Sequence, residues 1–175
     1  MVGKTTGRTL ELKLLRTDRS GALGKRLAEI RASVIDRLWG SFALLAIIGT
    51  PASAMRAFNT GWLRLYTFHV AMGALVLAIY FARRRLSAAL KLGLLIVIFW
   101  TIGLVGLLST GLIGASLWWL SLSVLLLSAL YSIRAGMGAA ALMVLVTVLT
   151  GVGYVQGWLV LPFDANAYIR TPTGW

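Results

Sequence analysis

His69 is the single histidine of the chain, and it stands inside an apolar run, Trp62 to Ala82, that ends in Arg83, Arg84 and Arg85. An ionisable group within a stretch able to cross a bilayer is a functional-site hypothesis by default. The unperturbed pKa of its side chain, about 6.5, lies near physiological pH. Three chemistries suit it. As a neutral imidazole it can be a satisfied hydrogen-bonding group between helices, its partner a Ser, Thr or Tyr side chain or a backbone carbonyl freed near Pro51. It can sense a ligand or a proton. It can ligate a metal or haem iron with Met72, which follows three residues on and shares its helix face. One histidine and no cysteine give metal ligation poor support, so no metal and no cofactor is expected. Trp62, at the mouth of the run, and Asp164, the only acid after residue 36, complete the ligand-sensing candidates with His69 and Met72.

Catalysis finds no constellation. Asp164 has no second carboxylate beside it, and it falls in a different segment from the single histidine, so neither a carboxylate pair nor a Ser/His/Asp set can be built. The spans lack the repeated charges of a proton relay. Thr101, Thr147, Thr150 and Gln156 are too few to line a hydrophilic path. No catalytic residue is assigned to this chain.

The elements that must position His69 follow from composition. The 175 residues are 59% hydrophobic with a mean hydropathy of +0.86, which is membrane-like. The reading is an all-α, polytopic transmembrane bundle with five spans: about 38–58, 62–82, 90–108, 112–132 and 139–161. Each holds about 20 residues, enough for a hydrocarbon core of about 30 Å at about 1.5 Å per residue. Residues 1–36 are a basic arm. Within it, 22–37 reads as an amphipathic helix with Leu23, Leu27, Ile30, Val34 and Leu38 at spacings of three and four. That helix either lies on the inner leaflet or forms a short coiled coil at a dimer seam. Pro51 is placed to kink or end the first span. Gly103, Gly106, Gly111 and Gly114, and the Gly153-x-x-x-Gly157 pair, offer close helix approach.

The net charge of +12 sets orientation rather than nucleic-acid binding. Fourteen basic residues fall on the side of the N-terminal arm, Arg83–Arg85, Lys91 and Arg134, against three (Arg56, Arg64 and Arg170) on the other. The positive-inside rule then puts the N-terminus in the cytoplasm, with Arg83, Arg84, Arg85 and Arg134 as topology anchors and anionic headgroups as neighbours. Residues 162–175 carry Pro162, Pro172 and Asp164 and read as an extracytoplasmic tail leading to a sixth span.

The order of motifs carries a resemblance. Asn59-Thr60-Gly61-Trp62 precedes His69. Arg83-Arg84-Arg85 follows, then Gly106, Gly111 and Gly114, Arg134 with Gly136, and Leu161-Pro162-Phe163-Asp164 with Tyr168, Thr171-Pro172 and Trp175. Over residues 37–175 this resembles the N-terminal membrane sensor region of bacterial sensor histidine kinases and diguanylate cyclases. The resemblance implies a signal-transducing bundle serving a two-component or cyclic-dinucleotide output module. His69 is not the phosphoacceptor of such a kinase, which lies in a separate cytoplasmic module. A homodimer and an unknown small ligand are the expected partners, and nucleic acid is not. The residues alone also admit a small transporter or channel subunit.

Overall fold

The computed structural model describes the backbone of residues 5–55, 62 and 64–161, and the side chains of those from residue 22 on, residue 113 excepted. Among the described residues there is no strand, and five helices follow one another. They are α1 (Thr5–Met55), α2 (Arg64–Ala82), α3 (Ala88–Thr110), α4 (Ser116–Leu126, continued by a π turn over Leu127–Tyr131) and α5 (Ile133–Val155). Short 3-10 turns, Arg83–Arg85 and Gly111–Ile113, follow α2 and α3.

Four of these helices are long and apolar enough to cross a membrane: Ala22–Met55, Arg64–Arg85, Ala88–Thr110 and Ile133–Val155, with mean hydropathies of 1.5, 1.8, 2.4 and 2.0. Ser116–Tyr131 is apolar but shorter. Large side chains such as Ile48, Phe81, Val97, Leu125 and Val148 stand on the outside. A bundle in water would not leave so much apolar surface uncovered, whereas hydrocarbon covers it at no cost.

The most apolar helix, α3, touches each of the other four. Leu95 and Leu107 of α3, Trp39 of α1 and Leu120 of α4 are fully buried. Phe42 is the aromatic hub, with ring centroids 5.0 Å from Phe99 and 5.7 Å from Trp119, both edge-on. Such tilted aromatic pairs add roughly 0.5–1.5 kcal/mol beyond their area. Close approach of α3 and α4 depends on Gly103, where a Cβ would meet Leu120 at 2.7 Å. The small-residue expectation therefore holds at that contact.

Three local features differ from the sequence reading. First, the amphipathic stretch 22–37 and the first span are one unbroken helix. Nothing between residues 22 and 50 breaks a helix, and a change in hydropathy alone does not stop the backbone. At about 1.5 Å per residue the 51-residue α1 is about 75 Å long, so its N-terminal part extends past any bilayer core. Leu23, Leu27, Ile30 and Val34 stay exposed along it. Second, Pro51 does not end α1, which continues to Met55; with the proline so late, a single freed carbonyl is all it costs. Third, the α4–α5 turn falls at Ser132, before Arg134. The Ser132 hydroxyl accepts from the Ala135 amide at 3.2 Å and starts α5 there, so Gly136 is helical and packs on Ser128.

At the far end, α5 stops at Val155. Gly157, at φ +75°, turns the chain, and the Leu159 amide donates to the Gly153 carbonyl at 3.0 Å. The Gly153-x-x-x-Gly157 pair is thus a helix terminus folded on itself. Among the described residues a Cβ on Gly157 would meet nothing within 4 Å, and the atoms nearest one on Gly153 are those of Leu159.

Candidate functional site

The α1 and α2 helices form a hairpin, and the site lies in the seam between them. Ser53 and His69 are equally far in sequence from position 61, as are Thr50 and Met72, and Gly49 and Gly73. Antiparallel helices of equal rise bring such pairs to the same level. The Ser53 Oγ and His69 Nδ1 lie 2.6 Å apart, a short hydrogen bond between half-buried side chains. Ser53 is thus the hydroxyl partner expected for His69, two residues beyond Pro51. The Phe68 ring lies 6.0 Å from the imidazole centroid.

The pair opens onto a cleft of about 180 Å³. Its walls come from Phe42, Thr50, Met72, Val76, Ile102 and Trp119 with the His69–Ser53 pair. Gly73 gives the cleft its depth. A Cβ there would collide with Thr50 Oγ1, so only glycine lets the two helices meet at this level. The floor is the aromatic cluster, and through Ile102 and Trp119 the cleft reaches α3 and α4. Small-molecule sites have this character, largely apolar walls with a few placed polar groups, although this one is smaller than the range usual for drug-sized ligands.

The sequence candidates separate as follows. His69 and Met72 share the cleft. Trp62 does not join them. It is exposed, donates from Nε1 to Thr67 Oγ1 at 2.8 Å and packs edge-on against Tyr66. Asp164 lies outside the described residues. Among those described, no three His, Cys, Asp or Glu side chains gather. Thr50, Ser53, Gly73 and Trp119 were missed because each is ordinary on its own strip of sequence. Symmetry about position 61 is the signal that could have found the first three.

A second polar contact was also missed. Lys91 Nζ and Asp36 Oδ1 form an ion pair at 2.6 Å, joining α3 to α1, and the Trp39 indole donates to the Lys91 carbonyl at 3.2 Å. Lys91 is 9% exposed, so a residue counted in the sequence only toward orientation is tucked into the bundle.

Other hydroxyls turn inward on their own helices. Thr101, Thr110, Ser128 and Thr147 donate to the carbonyls of Val97, Gly106, Val124 and Met143 at 2.7–2.8 Å. This is how a hydroxyl is satisfied inside a membrane helix.

No curated protein and no solved structure shows significant similarity to this sequence. A family model does match, over residues 29–170, a stretch that holds the α1–α2 hairpin, the cleft and all of α3 to α5. With most of its length matched by that model, the chain belongs to the MASE11 family of membrane-associated sensor domains.

Proposed function

We propose that this chain is the membrane-embedded sensory region of a bacterial multidomain signalling protein, and that the α1–α2 cleft is where its stimulus acts. The observation that carries the reading is the Ser53–His69 pair, a directional polar group set in an otherwise apolar cleft between two helices. A small molecule entering there, or a proton taken up, changes what holds α1 against α2. The α1 helix extends unbroken from the cleft to the end of the bundle where the basic residues collect, so it is suited to relay such a change.

In this reading all five helices cross the inner membrane, α4 included, with the N-terminus and the basic end in the cytoplasm. The output module, a histidine kinase or diguanylate cyclase, lies on that side, and the protein works as a homodimer. The transporter or channel alternative is less well supported, because the hydroxyls of Thr101 and Thr147 are spent on their own helices rather than lining a path.

The test is a chimera that couples the chain to a diguanylate cyclase module in cells, with cyclic dinucleotide as readout. Cleft substitutions His69→Leu and Ser53→Ala should change the output at unchanged membrane level. An output indifferent to both, or ion flux through the purified chain in liposomes, would overturn the proposal.

A further inference from the structure

At the end of the bundle remote from the His69 cleft, a second cavity of about 480 Å³ lies where α1, the 3-10 turn after α2 and the start of α3 meet. Its lining is almost wholly charged: Arg37, Arg83, Arg84 and Lys91, with Asp36 and the Ser33 hydroxyl. Four cations thus face one carboxylate, and that carboxylate already pairs with Lys91.

Two of the cations are held in place. Lys91 is nearly buried, and Arg83 is fixed by donation from Nη1 to the Tyr80 carbonyl at 2.8 Å and by stacking 3.7 Å over the Tyr80 ring. Ser33 and Arg37 are four apart on α1 and share a face. Like charges gathered on rigid elements repel unless an anion joins them. Guanidinium forks match phosphate oxygens best.

The depth suits a headgroup. The pocket sits where the apolar run of α2 gives way to the arginine turn, with the half-buried Tyr80 at the same end, the level at which aromatic side chains meet a bilayer interface. Basic pockets between membrane helices take phosphate-bearing headgroups on the cytoplasmic side, the side to which the orientation proposed above assigns this pocket. We infer that Ser33, Arg37, Arg83, Arg84 and Lys91 form a binding site for a phosphate group, either the headgroup of an anionic lipid or free phosphate. Asp36 acts as a weak competitor that holds Lys91 while the site is empty. The site is independent of the cleft and of the sensory reading.

Native mass spectrometry of the full chain tests it, in micelles doped with equal parts phosphatidylglycerol and phosphatidylcholine, and separately with inorganic phosphate. Wild type should retain phosphatidylglycerol preferentially. The double substitution of exposed residues, Arg37→Gln with Arg84→Gln, should weaken retention about 30-fold, at about 1 kcal/mol for each basic residue. Arg134→Gln, an exposed arginine outside the pocket, should leave it unchanged. If inorganic phosphate binds with this same pattern and phosphatidylglycerol is not preferred, the phosphate site stands and its source is soluble. Asp36→Asn keeps an acceptor for Lys91 but removes the competing charge, so it should tighten binding several-fold, which decides the matter if the double variant fails to fold. Retention lost equally in Arg134→Gln, no selectivity for either phosphate source, or unchanged or weaker binding in Asp36→Asn would each overturn the inference.

Discussion

The hydrogen bond between Ser53 and His69 makes the sharpest prediction. Truncating His69 to Leu removes the ring nitrogen 2.6 Å from Ser53 Oγ. A hydroxyl left unsatisfied in a packed interior costs about 1–3 kcal/mol. Two features of this site bring the figure down. Ser53 is only half-buried. It can also turn its hydroxyl to the carbonyl four residues earlier, as Thr101, Thr110, Ser128 and Thr147 do here. Measured interhelical hydrogen bonds in membrane bundles average about 0.6 kcal/mol and reach about 1.7 kcal/mol, and that range governs. The assay is a double-mutant cycle of His69→Leu and Ser53→Ala, followed by denaturant unfolding in micelles with helix content as the signal. The cycle is needed because His69 has a further interaction that a single substitution also removes. A coupling of about 0.6 kcal/mol is expected. His69→Gln, which keeps polar atoms for Ser53, should stay near wild type. Strictly additive single effects, or wild-type stability and output in Leu and Gln variants alike, would show that the pair neither holds the hairpin nor serves the cleft.

Three further outcomes follow from the geometry. Gly73→Ala forces a Cβ onto Thr50 Oγ1 and should cost about 1–3 kcal/mol, with Thr50→Ala in the same chain restoring most of it; unfolding in micelles reads both. Among the described residues Ser116 Oγ is buried without a hydrogen-bond partner, so Ser116→Ala should be neutral or stabilising by up to about 1 kcal/mol, and a clear loss would mean that the hydroxyl is satisfied after all. Reporter fusions after Arg85 and after Asp164 should report opposite compartments, inside and outside; the same compartment for both would end the five-span topology.

The end of α2 was readable, because an arginine turn that lipid rejects follows it. The start of α5 was not, because the spans were read as 112–132 and 139–161, which left Arg134 between them, while the Ser132 hydroxyl did the capping. The same difference runs through the candidate site. His69 stood out as the one side chain in the spans whose unperturbed pKa lies near physiological pH, and the type of its partner could be stated from chemistry alone. Which hydroxyl it would be depended on the register of a hairpin whose turn no local pattern fixes. The pairing of Ser53 with His69 follows only once the two helices are laid antiparallel about position 61, and the contact of Thr50 with Gly73 falls one position off that symmetry. Lys91 shows the limit most clearly. In the sequence it counted only toward the orientation of the spans. Its ammonium nonetheless reaches back across the bundle to Asp36, fifty-five residues earlier. An ion pair between distant segments leaves no periodicity in either, so the basic pocket it completes became visible only when α1 was found to run unbroken past the arginine turn.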